Sequence, residues 1–200
     1  MTAPRFEATS GFFLLLAWLN YVDGQGIVPA CMLACGLHEL GHYIVLRVLN
    51  VPVHRIRLTA VGAEMEVLRP LAHGEEGAAA LAGPGINLML ALIFSRWERF
   101  ITFAGINLAL GCFNLLPVGG LDGGRALYAT LSLMAGPELA YAVCSCVDRV
   151  LAGLLLMTGL LLLGAGGNVT LLLVALWLCA QPILSKGGNR ACHGALKRVK

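Results

Sequence analysis

Charged side chains are scarce in this 200-residue sequence. Asp, Glu, Lys and Arg together make up 12% of it, about half of their share in an average soluble domain. Apolar side chains make up 58%. This composition excludes an ordinary water-soluble fold and favours a protein that is embedded in a lipid bilayer.

Paired cysteine motifs are also lacking. The seven cysteines are odd in number, lie mostly in apolar stretches, and do not have the spacing of a zinc ribbon. We therefore interpret them as small, reduced apolar side chains, which excludes a disulfide-based scaffold. The cysteine positions are 31, 35, 112, 144, 146, 179 and 192.

The few charges are clustered, so long stretches carry none. The longest, residues 150–185, has 36 uncharged residues, whereas about 20 helical residues cross a bilayer. This stretch must turn back, and the glycines and asparagine at 164–168 suit a turn. The sequence predicts an all-α polytopic membrane protein with six transmembrane helices, near residues 9–22, 24–46, 77–95, 100–121, 140–163 and 169–185.

Lysine and arginine are distributed unevenly about these six helices. Six crossings place both termini on one side, which then holds 12 of the 14 basic residues, with Arg96 and Arg99 opposite. Both termini are therefore predicted to be cytosolic. The net charge of +3 is explained by this topology, and no nucleic-acid partner is expected. We interpret residues 1–200 as a single membrane-embedded domain, with residues 186–200 as a basic cytosolic tail.

The connection between the second and third predicted helices has the pattern of a β-hairpin. Residues 55–58 and 64–67 alternate polar with apolar side chains, and Gly62 lies between them. A lone hairpin is only marginally stable in water. We therefore expect the apolar side chains to pack against the helices: Ile56, Leu58, Met65 and Val67.

The second predicted helix carries the sequence HELGH at residues 38–42. His38 and His42 are four residues apart and share one helix face, so both imidazoles can bind one metal ion. Glu39 lies beside them and can accept a proton from a metal-bound water. Charged groups within a bilayer cost ~2.5–3.5 kcal/mol each on insertion scales, which indicates a functional site.

A catalytic zinc usually has three protein ligands, so a third is needed. Asp122 follows the fourth predicted helix in the sequence NLLPVGGLDGGR, residues 114–125. The second and fourth helices would cross the membrane in the same direction, so their cytosolic ends would lie at the same level. The Asp122 carboxylate could then reach the two histidines, which makes Asp122 the best candidate for the third ligand. The alternative is that Asp122 caps a helix that begins near Gly123.

Three motifs together, HELGH, GPGIN at residues 83–87 and NLLPVGGLDGGR, resemble the site-2 protease family of intramembrane zinc metalloproteases. The six-helix plan resembles the stage IV sporulation protein FB branch. The resemblance implies one Zn²⁺ bound by His38, His42 and Asp122, with Glu39 as the catalytic acid and base. It also implies that Asn87 and Asn114 position the substrate or the catalytic elements. Without the resemblance, Asn87 is as typical of helix–helix hydrogen bonding.

The resulting hypothesis is an intramembrane zinc metalloendopeptidase that performs regulated intramembrane proteolysis. Zinc-bound water would attack a peptide carbonyl in a transmembrane or membrane-adjacent segment of a regulatory protein. The expected partners are a membrane-associated protein substrate, the bilayer and a regulatory membrane protein. By the resemblance, the setting would be a bacterial cell membrane, and the substrate would be a precursor of a sporulation transcription factor or a membrane-anchored anti-sigma factor. The alternatives are a non-catalytic metal-dependent membrane scaffold and a metal-ion transporter.

Overall fold

A computed structural model describes residues 4–59 and 62–164, together with residues 166, 169, 172, 173 and 176. It divides into two compact units, residues 1–115 and 116–200. The first unit contains β1 (Arg5–Ala8), α1 (Ser10–Val22), α2 (Ile27–Val48), β2 (Val53–Thr59), β3 (Gly62–Val67), α3 (His73–Phe94), a 3₁₀ turn (Glu98–Phe100) and α4 (Ile101–Asn114). The second contains α5 (Asp122–Ala135) and α6 (Pro137–Gly164).

The described residues are mostly helical with one small sheet, which confirms the coarse fold prediction. Among them, α3 and α6 are long and apolar enough to cross a membrane, and α1 is apolar but shorter, with 13 residues. The six-helix membrane arrangement stays a prediction. Its sixth helix lies largely outside the described residues, and the tail at 186–200 lies wholly outside them.

The fourth predicted helix, residues 100–121, is shorter in the structure. It ends at Asn114, and a turn follows in which the Val118 N–H bonds the Leu116 carbonyl and the Leu121 N–H bonds the Val118 carbonyl. Pro117 explains the end, because it has no N–H for a helical bond and disfavours the helical conformation in the residue before it. The 14 residues of α4 rise about 21 Å.

The predicted hairpin is present, and it belongs to a three-stranded sheet. β2 pairs antiparallel with β3, with Ile56 opposite Met65, and β1 lies parallel to β2 on its other side. Ile56 is buried, and Met65 and Val67 pack against its cluster, as predicted. Leu58 is half-buried and pairs with Ala63. Four-residue β1 was not expected, because its pattern is too short to stand out next to α1.

Helices α2, α3 and α4 pack closely through small side chains. A Cβ added at Gly41 on α2 would lie 2.8 Å from the Ala82 carbonyl oxygen, and one at Gly111 on α4 would lie 3.3 Å from the Asn87 Cβ. Small residues let helix backbones approach in this way. The buried positions of α3 are Ala79, Ala80, Gly83, Pro84, Asn87 and Ala91.

The start of α3 is fixed by an ion pair. Both terminal guanidinium nitrogens of Arg69 donate to the Glu75 carboxylate, at 2.6 and 2.7 Å, and the Ala72 N–H donates to the same group at 3.0 Å. The hydrogen bond to Glu75 raises the pKa of Arg69 above its ordinary value. This bidentate contact sets where α3 begins, and α3 supplies three groups of the site described next.

Candidate metal centre

His38 and His42 lie side by side on the buried face of α2. Their side chains are 6% and 9% exposed, and their Nε2 atoms are 3.1 Å apart. The four-residue spacing produces this, because one helical turn places the two rings on the same face. The structure therefore brings together the two histidines that the HELGH motif predicts as metal ligands.

A backbone carbonyl orients His42. The His42 Nδ1–H donates to the Ala79 oxygen of α3 at 2.7 Å. A carbonyl oxygen only accepts, so Nδ1 carries the proton and the neutral ring keeps its lone pair on Nε2.

An asparagine orients His38. The His38 Nδ1–H donates to Asn87 Oδ1 at 3.0 Å, and the Asn87 amide nitrogen donates to Asn107 Oδ1 at 3.2 Å. Both asparagines are fully buried. The lone pair of His38 is therefore also on Nε2, and the two lone pairs converge on one space.

This arrangement fits a metal ion. Two nitrogen ligands at about 2.0–2.1 Å from a tetrahedral zinc are about 3.3 Å apart, close to the separation found. Two lone pairs at such a distance repel unless a cation or a proton lies between them. Gly83 keeps the space open, because an added Cβ would lie 2.8 Å from His38 Nε2 and closer still to His42 Nε2. Outer-shell hydrogen bonds on both Nδ1 atoms are typical of metal-binding histidines.

The other predicted site residues lie at three places. Glu39 is half-buried on α2, one residue after His38. Asn114 is the last residue of α4, and its amide donates to the Leu110 carbonyl at 3.0 Å. Asp122 belongs to the second unit, is 8% exposed and lies 3.5 Å from Arg125. It is the first residue of α5, and the N-cap position is Leu121.

The turn that precedes Asp122 is held from within the second unit. Val118 and Leu121 are buried against Leu151 and Leu155 of α6. Asp148 of α6 accepts the Gly119 N–H at 2.8 Å. The signal for Asp148 was visible in the sequence as an acidic residue in an apolar helix, but its partner was not.

The fold is that of a site-2 protease. The solved site-2 protease from Methanocaldococcus jannaschii superposes with a TM-score of 0.64 at 24% identity, over 89% of each chain. Residues 94–158 match Peptidase family M50. These matches confirm the resemblance to the site-2 protease family that the three motifs predicted.

The sequence is similar to two known proteins. A zinc metalloprotease of Methanocaldococcus jannaschii is 29% identical over 153 residues, which are 71% of this chain and 44% of that protein. Stage IV sporulation protein FB of Bacillus subtilis is 32% identical over 136 residues, which are 60% of this chain and 46% of that protein. The chain thus spans less than half the length of either relative.

The similar proteins and the geometry of the site both indicate zinc as the metal and a membrane as the location. The Methanocaldococcus jannaschii relative is a zinc metalloprotease, and the paired imidazoles suit zinc, which confirms the predicted cofactor. The match to a membrane-protease family and the two long apolar helices indicate membrane association.

Proposed function

We propose that this chain is an intramembrane zinc metalloendopeptidase that cleaves a transmembrane or membrane-adjacent segment of a regulatory protein. The observation that carries this proposal is the buried pair His38 and His42, whose Nε2 lone pairs converge between apolar helices. Glu39 lies between them in sequence on the same helix. A base next to two metal-binding histidines is the arrangement that zinc metalloproteases use for peptide hydrolysis.

Each proposed site residue has a separate task. Zinc, when bound, supplies a Lewis acid and lowers the pKa of water. Glu39 takes a proton from the attacking water and passes it to the leaving amine. Asn87 positions a catalytic element, because its side chain orients His38. For Asn114, at the end of α4, we propose contact with the substrate backbone.

Asp122 is the proposed third ligand, and Asp122→Ala tests it. We expect the variant to lose most of its zinc and its cleavage activity together, because two imidazoles alone hold zinc weakly. If Asp122 only favours the start of α5, its loss costs about 0.3–1 kcal/mol of stability and zinc is kept. Zinc per chain, measured by elemental analysis of purified protein, decides between the two. Glu98→Ala, at an exposed glutamate of the 3₁₀ turn, is the control.

We also propose the six-helix membrane topology with both termini in the cytosol, supported by the distribution of basic residues. It places the connection between α1 and α2 outside and the β-sheet inside. Single cysteines at Gln25 and at Glu64, both exposed positions, can be introduced into a cysteine-free chain. A membrane-impermeant thiol reagent should label the first in intact cells and the second only after lysis. The opposite pattern would reverse the topology.

The substrate is proposed from the relatives. Similarity to stage IV sporulation protein FB supports a bacterial membrane, a substrate of a sporulation pathway and a regulatory membrane protein as partner. Mass spectrometry of membrane fractions, compared between cells with the wild-type chain and cells with Glu39→Gln, would identify the substrate. Peptide fragments that vanish in the variant are expected, and their absence from both samples would count against proteolysis.

A further inference from the structure

Asn107 belongs to none of the three motifs, yet it is one of the most completely buried side chains that the structure describes. It lies in the middle of α4 with an exposed fraction of 0%. Burying an amide costs free energy unless its donors and acceptors are bonded. Both the nitrogen and the oxygen of the Asn107 amide form hydrogen bonds, one with a backbone carbonyl and the other with a side chain.

The Phe103 carbonyl determines the direction of these hydrogen bonds. The Asn107 side-chain nitrogen lies 2.8 Å from the Phe103 carbonyl oxygen, which can only accept. The amide nitrogen must therefore face Phe103, and Oδ1 faces Asn87. That oxygen accepts from the Asn87 amide nitrogen at 3.2 Å.

The same logic continues to the histidine. With its nitrogen directed at Asn107, Asn87 presents Oδ1 to His38 at 3.0 Å. An oxygen at this position selects the ring form with a proton on Nδ1. His38 thus donates to Asn87, Asn87 to Asn107 and Asn107 to the Phe103 carbonyl, which leaves the Nε2 lone pair of His38 facing His42 Nε2.

We infer that Asn107 is a positioning residue that sets the tautomer of His38 through Asn87 and so keeps Nε2 available for zinc. The inference rests on the proposed function only for the identity of the metal site. It does not apply to His42, whose Nδ1–H is held by the Ala79 backbone carbonyl. No side-chain substitution at position 107 removes that acceptor.

Loss of Asn107 Oδ1 should release the Asn87 amide. Rotated by half a turn, Asn87 offers N–H groups to His38 Nδ1, and the proton of the ring moves to Nε2. That tautomer has no lone pair on Nε2 for a metal. The expected defect is therefore confined to one of the two histidines.

The experiment uses the full chain in detergent, zinc-free and labelled with ¹⁵N-histidine. Side-chain nitrogen spectra report which ring nitrogen of each histidine carries a proton. His38→Gln and His42→Gln assign the signals. The wild-type chain should keep a proton on Nδ1 of both residues, whether or not a proton lies between the two Nε2 atoms. Asn107→Leu should remove the proton from His38 Nδ1 and leave His42 Nδ1 protonated.

Zinc titration of the same samples gives a second readout. We expect the dissociation constant to rise about 10-fold in Asn107→Leu, the lower end of the usual effect of outer-shell substitutions. Thr158→Val is the control, since it also removes a side-chain bond to a carbonyl four residues earlier, from Thr158 to Leu154 on α6. It should change neither the tautomers nor the zinc affinity.

Asn107→Ser covers the case in which the leucine variant does not fold. Its hydroxyl can keep the bond to the Phe103 carbonyl but is too short to reach Asn87. An unchanged His38 tautomer in the folded variant overturns the inference, even where zinc affinity falls, because Asn107 would then act by packing alone. A shifted tautomer in a protein that cleaves no peptide supports the inference and removes the proposed function instead.

Discussion

Glu39→Gln is expected to slow cleavage by at least about 10²-fold while zinc stays at one ion per chain. Glutamine has nearly the same size as glutamate and leaves His38 and His42 untouched, but its amide cannot take a proton from water. General acid–base catalysis contributes about 10²- to 10⁴-fold, so the turnover number should fall by that factor. Turnover of a transmembrane peptide in detergent or liposomes, with zinc measured on the same preparation, checks both parts.

The same comparison separates the protease hypothesis from the scaffold and transporter hypotheses. Glu98→Gln is a matched control, because it makes the same substitution at an exposed glutamate in the 3₁₀ turn of the first unit. A scaffold or an ion transporter would show no peptide product in wild type, so the Glu39 comparison would have nothing to remove. Full activity of Glu39→Gln, or loss of its zinc, would contradict the assigned role.

Gly83→Ala should weaken zinc binding strongly. The added methyl group would lie 2.8 Å from His38 Nε2 and nearer still to His42 Nε2, so it would occupy the space on which both lone pairs converge. The rings are held from behind by Asn87 and by the Ala79 carbonyl, and they have little room to retreat. We expect zinc affinity to fall about 100-fold, the upper end of the range for groups around a metal site, with cleavage lost in step.

Gly85→Ala is the matched control for this prediction. It makes the same change two residues further along α3, at an exposed position where an added Cβ meets nothing within 4 Å. Alanine favours the helix over glycine by about 1 kcal/mol, so this variant should be at least as stable as wild type and bind zinc normally. Equal zinc affinity in the two variants would show that the metal-bound imidazoles lie elsewhere.

Much of the fold could be predicted because the decisive signals are local. Scarce and clustered charges indicate apolar helices, and alternation at residues 55–58 and 64–67 indicates strands. The pairing of Ile56 with Met65 agrees with that pattern. The ends of helices and strands were less predictable where a short local signal lies within or next to a long apolar stretch. Pro117 ended α4 at Asn114 inside an uncharged stretch of 22 residues, and β1 has only four residues.

In the metal site, too, the local features could be predicted from the sequence and the long-range contacts could not. The sequence by itself determined that His38, Glu39 and His42 lie on one helix, since a four-residue spacing fixes a shared face whatever the rest of the chain does. Only the tertiary structure decided what lies behind and between the rings. Asn87 and Ala79 are 49 and 37 residues away from the histidines that they hold, and Asn107 is 20 residues beyond Asn87. Such contacts depend on how three helices pack, and a single sequence records the presence of a buried asparagine or glycine but not the partner that it meets.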